Sequence, residues 1–389
     1  MESIKRRGFL KLAGVAALPS ILPTEKIIAS PLKSNAESEP IVKFYGDGDM
    51  LSPAAYLEKL QSINNTQTIE PDFYGEGGAV AQLQQKMATL TGKEKAIFLP
   101  TGTMANQLAI ALLSGDNTKV FVQDTSHVYR DEADAAQSVF NKRLMPLAKD
   151  KTSFTADELK AAIESLKDQE VFTSGVGAVS IENPVRRTKG CFVPIEEIRK
   201  ISEYCRSNKI KLHLDGARIY MASAWSDVSI KEYASYFDTV YISLYKYLGA
   251  AAGAILCGEN LVIDKVPHLM KIHGGTMFGN WANAARAVQK MGEIEMLLQN
   301  ARKRADEIFA GLNQVKGIQV SSLQNGTNIF DLKLDKIDGK KLQSRLNSEF
   351  KIQIPRIKDD GTGTLMVNET ILYRDAAYIV NAFKTCAVS

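Results

Sequence analysis

Hydrophobic residues follow two alternating periodicities along most of the chain, and this alternation predicts helices separated by short strands. Apolar positions recur at the spacing of an amphipathic helix over six segments: 79–91, 104–113, 131–138, 156–166, 195–207 and 228–237. Short apolar runs between or after them predict six buried strands: 96–99, 119–122, 177–182, 210–214, 239–244 and 253–256. The pattern indicates an α/β fold whose mostly parallel sheet is covered by helices.

The remaining segments predict an irregular arm before this core and a smaller domain after it. Residues 37–72 contain Pro40, Pro53 and a Gly46-Asp47-Gly48 turn, which are typical of irregular structure. A long helical stretch over 280–312 precedes alternating strands and helices that end near residue 385. We therefore divide the chain into an arm (37–72), a large α/β domain (73–285) and a smaller α+β C-terminal domain (286–389).

The first 36 residues have the order of charge and hydrophobicity that is typical of an export signal. Lys5-Arg6-Arg7-Gly8-Phe9-Leu10-Lys11 precedes an apolar run from Leu12 to Leu22, and Ser34-Asn35-Ala36 is a small-residue cleavage site. The paired arginines resemble a twin-arginine signal. The alternative is a basic amphipathic first helix. The apolar run is too short for a stable membrane span, so we expect a periplasmic protein that is exported folded, with any cofactor inserted.

Composition and charge exclude several classes of protein. The chain has 389 residues, of which 45% are hydrophobic and 24% charged, an ordinary globular balance. The formal charge of +4 comes from the first 36 residues, which hold six basic and two acidic residues; the rest holds 48 − 6 = 42 basic and 44 − 2 = 42 acidic residues. We therefore expect no nucleic-acid partner. The four cysteines are far apart, and whether they pair is left open. Neither they nor the four histidines form a metal-binding motif.

Three polar clusters follow predicted strands, and ligands of open parallel sheets bind at such strand ends. Gly102 and Thr103 begin a helix, where backbone N–H groups can bind an anion, although an ordinary helix cap explains them equally well. Asp215 ends a buried strand and needs a cationic partner, either Arg218 or the protonated nitrogen of a ligand. Lys246 follows another strand, where it is a surface lysine or a desolvated nucleophile.

An anion cradle, a carboxylate and an amine at one sheet edge are the three parts that pyridoxal 5′-phosphate requires. The cofactor needs a phosphate anchor, a partner for its pyridinium nitrogen and a lysine that binds it covalently. Each cluster has an ordinary explanation by itself, but no ordinary explanation covers all three. The sequence therefore predicts a site for this cofactor and no metal site.

The chain resembles the threonine aldolase group of the β-eliminating lyases from about Phe44 to the C-terminus. The motifs are Asp72-Phe73-Tyr74-Gly75-Glu76, Thr101-Gly102-Thr103-Met104-Ala105-Asn106-Gln107, Ser126-His127, Ile181-Glu182-Asn183, His213-Leu214-Asp215-Gly216-Ala217-Arg218-Ile219 and Ser243-Leu244-Tyr245-Lys246. The resemblance implies the fold-type-I architecture of pyridoxal-phosphate enzymes, with a mostly parallel seven-stranded sheet. It also implies a homodimer or homotetramer.

The resemblance implies roles for individual residues. Lys246 matches the lysine that binds the cofactor, and Asp215 matches the acid that keeps its ring nitrogen protonated. Gly102 and Thr103 match the phosphate cradle. His127 matches a histidine that stacks on the cofactor ring near the substrate hydroxyl, where it is a candidate base; the alternative is a helix cap.

Substrate contacts depart from the family pattern. Arg218 matches an arginine near the cofactor and the substrate carboxylate, and Tyr74 matches a residue at a neighbouring subunit's site or in the core. The family's carboxylate-binding Ser and Arg fall on Gly46 and Leu365. Two further family motifs are altered, and here they read Gly274-Gly275-Thr276-Met277-Phe278-Gly279 and Glu182-Asn183-Pro184-Val185-Arg186. Candidates for a replacement cation are Arg186, Arg187 and Arg356, unless these are ordinary surface arginines.

These features predict a lyase acting on an amino acid. The leading hypothesis is cleavage of the Cα–Cβ bond of a β-hydroxy-α-amino acid to glycine and an aldehyde, with Lys246, Asp215 and His127 as catalytic residues. A second hypothesis keeps the cofactor but changes the reaction to β-elimination, racemisation or transamination, because the carboxylate anchors are missing. A third is an exported protein of this fold that binds without turnover.

Overall fold

Alternating helices and strands form a seven-stranded sheet and a smaller C-terminal sheet. The computed structural model describes residues 40–387, and the predicted export signal lies outside the described residues. The strands are β1 (Val42–Lys43), β2 (Lys95–Leu99), β3 (Lys119–Gln123), β4 (Arg143–Leu147), β5 (Val176–Glu182), β6 (Lys211–Asp215), β7 (Thr239–Ser243), β8 (Ala254–Gly258), β9 (Ile318–Ser321), β10 (Ile329–Leu334), β11 (Ile352–Gln353) and β12 (Thr362–Met366).

The helices cover the large sheet and pack around the C-terminal strands. They are α1 (Pro53–Thr66), α2 (Gly78–Thr91), α3 (Gly102–Ser114), α4 (His127–Arg130), α5 (Ala135–Phe140), α6 (Ala156–Gln169), α7 (Ile195–Ser207), α8 (Ile219–Ser226), α9 (Ile230–Ser235), α10 (Asn260–Ile263), α11 (Val266–Ile272), α12 (Trp281–Met291), α13 (Ile294–Leu312), α14 (Gly339–Phe350) and α15 (Ala376–Ala387). Among residues 40–387, none of the helices has both the length and the hydropathy to span a membrane.

The large sheet has the strand order β2-β8-β7-β6-β5-β3-β4. Strand β8 is antiparallel to both of its neighbours, and all other pairs are parallel. Every residue of β3, β7 and β8 is buried, as expected when helices cover both faces. The predicted α/β class with a mostly parallel seven-stranded sheet is confirmed. The carboxyl ends of β2, β3, β5, β6 and β7 lie at one edge.

A separate hydrophobic core surrounds the C-terminal sheet, whose antiparallel order is β12-β10-β9. The arm joins this part of the molecule, because β1 pairs in parallel with β11 and Phe44 is fully buried in the same core. The large core runs from Ala79 to Leu298, and the C-terminal core resumes at Ala301. The domain boundaries at residues 72 and 285 stay a prediction. All four cysteines are buried and unpaired.

The structure differs from the predicted elements at several helices. The arm contains the 14-residue helix α1, although it was expected to be irregular; none of its residues is buried, so it leaves no strong apolar stripe. The helix predicted over 131–138 is instead a turn followed by α5, because Ala133 and Asp134 adopt positive φ angles. The stretch predicted over 280–312 breaks into α12 and α13 at Gly292.

Candidate active site

Lys246 lies just beyond β7 and lines a cavity of about 620 Å³. Its side chain is half-buried. Burial and the positive charge of Arg218 lower the pKa of Lys246 to about 8, and the nearby carboxylates only partly oppose this shift. A substantial fraction of this amine is therefore neutral near pH 8, the form that attacks a carbonyl group.

Asp215 ends β6, the strand next to β7, and its side chain is 1% exposed. Its carboxylate accepts hydrogen bonds from Asn106 Nδ2 at 3.1 Å and from the Ala217 backbone N–H at 3.2 Å. Within residues 40–387, no lysine, arginine or histidine nitrogen lies within 4 Å of it. The protein thus buries a carboxylate with neutral donors only, and a cationic ligand would supply the missing charge.

Arg218 pairs with Asp47 of the arm rather than with Asp215, so the first of the two alternatives for Asp215, an ion pair with Arg218, is not what the structure contains. Its Nε and Nη2 donate to the two carboxylate oxygens of Asp47, each at 2.8 Å. Burial acts to raise the pKa of Asp47, but the Arg218 guanidinium outweighs it and holds that pKa below its usual value. This bidentate pair fixes the arm beside Lys246.

A chain of hydrogen bonds orients the amide that holds Asp215. His213 is fully buried; its Nδ1 lies 2.8 Å from the Thr239 hydroxyl and its Nε2 lies 2.9 Å from Asn106 Oδ1. Burial lowers the pKa of His213 to about 4, so the ring is neutral and can donate from Nε2. With its oxygen so occupied, Asn106 presents its NH₂ group to Asp215 and to Glu132, the latter at 2.8 Å.

His127 begins α4 and is bordered by three carboxyl groups. Its Nδ1 lies 3.2 Å from Asp131 Oδ2 and its Nε2 lies 4.0 Å from Glu132 Oε1. Its backbone N–H donates to Glu182 Oε2 at 2.7 Å. A carboxylate at Nδ1 favours the proton there and leaves Nε2 free to accept one.

Glu132 and Glu182 are buried acids that sequence reasoning did not assign to the site. Burial and the charge of Asp215 raise the pKa of Glu132 to about 8, and the same causes raise the pKa of Glu182. Both carboxyls therefore favour the protonated form near neutral pH. Glu182 follows an apolar run in the sequence, which was an available signal, whereas Glu132 lies among charged residues and gave none. Only the fold brings both near Asp215.

Gly102 and Thr103 form the first turn of α3 at the end of β2, where the sequence predicted an anion cradle. Thr101 caps the helix, because its side-chain oxygen accepts from the Met104 backbone N–H at 3.2 Å. The other backbone N–H groups of the first turn are left for an anion. Gly102 is buried against Tyr241, and a Cβ atom there would lie 2.0 Å from the tyrosine Oη. Only glycine leaves room for the Tyr241 hydroxyl at this position, so Gly102 allows the start of α3 to pack closely against β7.

We expect Gly102→Ala to destabilise the protein by about 1–3 kcal/mol, because the added methyl group overlaps the Tyr241 hydroxyl. Urea unfolding monitored by circular dichroism measures the change. The matched control is Gly292→Ala, where a Cβ would meet only the Gln289 carbonyl oxygen at 3.4 Å. Equal stability of the two variants would contradict the tight contact.

The predicted substrate residues are dispersed. Arg186 and Arg187 are exposed and surround Asp131, the partner of His127. Arg356 lines a different cavity on the C-terminal sheet. Tyr74 is 58% exposed and packs edge-on against Phe278, so packing in the core of this chain is excluded for it.

The two altered anchor positions supply no charge in the structure. Gly46 lies in a turn of the arm with φ +84°, and Leu365 is fully buried in the C-terminal core. Neither Leu365 nor its apolar neighbours can bind a carboxylate. A replacement cation must therefore come from another element.

The residues at the sheet edge fit pyridoxal phosphate. Asp215 is a buried carboxylate that lacks a cation, as a pyridinium partner requires. Lys246 is an amine with a lowered pKa next to it in the sheet, and the Gly102–Thr103 turn presents backbone N–H groups. These residues would hold the ring nitrogen, the carbonyl carbon and the phosphate.

The fold and this edge define the fold-type-I class of pyridoxal-phosphate-dependent enzymes. The Beta-eliminating lyase family matches residues 61–335, and the chain belongs to that family. It is 32% identical over 290 residues to a low-specificity L-threonine aldolase of Candida albicans, covering 74% of this chain and 76% of the relative. It is 30% identical over 304 residues to an alanine racemase of Cochliobolus carbonum, covering 74% of each.

Solved structures agree on the fold. The crystal structure of a putative L-allo-threonine aldolase from Listeria monocytogenes matches with a TM-score of 0.74 at 24% identity, over 90% of this chain and 96% of that one. A putative aromatic amino acid beta-eliminating lyase/threonine aldolase from Exiguobacterium matches with a TM-score of 0.75 at 23% identity, over 90% and 98%. The family match over residues 61–335 and the Candida albicans relative confirm the resemblance inferred from sequence motifs.

Proposed function

We propose that the protein is a pyridoxal-phosphate-dependent lyase that cleaves the Cα–Cβ bond of β-hydroxy-α-amino acids to glycine and an aldehyde. The observation that carries the proposal is Asp215, buried with neutral donors only, beside Lys246 with its lowered pKa. The names of several relatives, which are low-specificity L-threonine aldolases, support the substrate class.

When bound, pyridoxal phosphate supplies an electron sink for the bond that breaks at Cα. Lys246 contributes the amine that holds the cofactor, and the negative charge of Asp215 favours a proton on the ring nitrogen. Asn106 keeps the Asp215 carboxylate oriented through its own bond to His213. His127 accepts the proton of the substrate's β-hydroxyl group at Nε2, while Asp131 holds the opposite side of its ring.

The reaction is tested by incubating the purified protein and pyridoxal phosphate with threonine, allo-threonine and phenylserine. We expect equal amounts of glycine and of the matching aldehyde, quantified by chromatography of the derivatised products. The substrate-free and protein-free mixtures are the controls. 2-Oxobutyrate from threonine or allo-threonine, or phenylpyruvate from phenylserine, each with ammonia, would instead select β-elimination, and no turnover of any of the three would favour a binding protein.

Racemisation is the second candidate, favoured by the alanine racemase among the relatives. Racemisation exchanges the Cα proton of alanine and leaves the carbon skeleton intact. Incorporation of deuterium into alanine with loss of optical activity, and without glycine formation from threonine, would select this reaction.

The export and assembly of the protein are also proposals. The Lys5-Arg6-Arg7 segment and the apolar run after it support export to the periplasm by the twin-arginine route. A homodimer or homotetramer is supported by an exposed aromatic cluster, in which Phe73, Tyr74 and Phe278 are 58%, 58% and 64% exposed. Apolar patches of this kind on soluble proteins mark interaction surfaces.

A further inference from the structure

The cavity at Lys246 contains a buried arginine that no sequence motif indicated. Arg286 lies on α12, is 5% exposed, and lines the same cavity of about 620 Å³ as Lys246 and Asp47. Its guanidinium lies beside the loop that follows Lys246, because a Cβ atom on Gly249 would be 3.0 Å from Arg286 Nη2. The guanidinium therefore lies against the loop that follows Lys246, on a cavity that Lys246 also lines.

Helix α12 is fixed against this loop by a second contact. Asn283, one turn before Arg286, accepts hydrogen bonds from the backbone N–H groups of Ala251 and Ala252, each at 3.1 Å. The position of the Arg286 backbone relative to the Lys246 loop is thus set by the protein. A ligand at the cavity meets a cation that is already in place.

Arg286 has unused hydrogen-bonding capacity. One guanidinium nitrogen, Nη1, donates to Gln289 Oε1, whereas Nε is buried without a hydrogen-bond partner. In the described part of the chain, no carboxylate lies within 4 Å of its guanidinium, because the nearby acids pair with other cations. Glu369, for example, lies 3.1 Å from Lys290 Nζ. A buried cation of this kind is stabilised by an anionic ligand.

We infer that Arg286 binds the carboxylate of the amino-acid substrate, in place of the anchors that are absent at Gly46 and Leu365; this inference rests on the proposed function. Leu365 is buried in the C-terminal core, and Arg218 already uses two N–H groups on Asp47. Arg286 is the buried guanidinium of this cavity that lacks a carboxylate partner within the described residues.

The test compares two ligands that differ only in the carboxylate. Protein loaded with pyridoxal phosphate is titrated with glycine and with glycinamide, and visible absorption gives both dissociation constants. In Arg286→Gln we expect glycine to bind about 10- to 100-fold more weakly than in the wild type, and glycinamide to change less than twofold. Arg286→Lys keeps the positive charge but cannot bind a carboxylate through two parallel hydrogen bonds, so we expect an intermediate loss of glycine affinity.

Arg302→Gln is the matched control, because Arg302 pairs with Asp227 away from this cavity, and both ligands should bind it as they bind the wild type. Three results would overturn the inference. Arg286→Gln could lose the cofactor, or it could bind glycine and glycinamide equally more weakly. The ratio of the glycine to the glycinamide dissociation constant could also stay at the wild-type value in both Arg286 variants. If Arg286→Gln does not fold, the ratio of the glycine to the glycinamide dissociation constant in Arg286→Lys decides whether the inference holds. Wild-type protein that takes up no cofactor would refute the proposed function itself, a separate result.

Discussion

Lys246→Ala is expected to abolish covalent attachment of pyridoxal phosphate and to lower turnover of β-hydroxy amino acids by at least about 10³-fold. The amine is half-buried just beyond β7, and its pKa is lowered to about 8, which favours the neutral form that attacks the cofactor's carbonyl group. Borohydride reduction followed by peptide mass spectrometry measures the attachment. The wild type should carry the added mass on Lys246.

Lys160→Ala is the control, because Lys160 is exposed on α6 and does not line the cavity at Lys246. The Lys160→Ala variant should still carry the added cofactor mass on Lys246 and should keep its activity. Full activity of Lys246→Ala, or a label on a different lysine, would contradict the assignment.

The lowered pKa of Lys246 also predicts how cofactor capture depends on pH. The amine attacks only after it loses its proton, so capture by the cofactor-free protein should rise about tenfold per pH unit below pH 8 and level off above it. Stopped-flow absorbance at several pH values measures the rate. An inflection near the ordinary lysine value would contradict the effect of burial and Arg218.

Asp215→Asn is expected to retain the cofactor but to reduce kcat by about 10²- to 10⁴-fold. Breaking one partner of a buried charge pair costs about 3–5 kcal/mol, which corresponds to this range of rates. Asparagine has nearly the same shape, but its NH₂ group would meet that of Asn106, which now donates to the carboxylate at 3.1 Å. Steady-state kinetics of aldehyde formation give kcat, and visible absorption gives cofactor content.

Asp331→Asn is the matched control, since Asp331 pairs with Lys189 at the C-terminal sheet. Its kcat should stay within twofold of the wild type. Asp215→Glu keeps the negative charge and should recover part of the lost rate. If Asp215→Asn retains more than a tenth of the wild-type kcat, the carboxylate does not serve the cofactor ring in the proposed way.

Local patterns were sufficient for much of the fold because they depend on near neighbours in the chain. Apolar periodicity identified α2 and α7, each of which buries one face, and also α3 and α6. The same reasoning missed α1, which buries no residue, and the break at Gly292 between α12 and α13. A helix without an apolar stripe leaves little signal in the hydrophobic pattern.

The strand-end residues were predictable because parallel strands bring their carboxyl ends to one edge of the sheet. Gly102, Asp215 and Lys246 each follow a strand in the sequence and lie at that edge in the structure. Their partners were not predictable. Glu132 approaches His127 and Asp215 only after α3, β6 and the α4 turn have packed together.

The sequence by itself determined the α/β class, the family and the residues that follow the main strands, because these depend on local spacing. The tertiary structure decided which charges meet. Arg218 is three residues from Asp215, yet it pairs with Asp47, 171 residues away, because folding brings the arm to the sheet edge. That pairing leaves Asp215 without a cation. The packing of α12 separately places Arg286 beside the loop that follows Lys246. Such pairings depend on distance through space, which a short spacing in sequence does not determine.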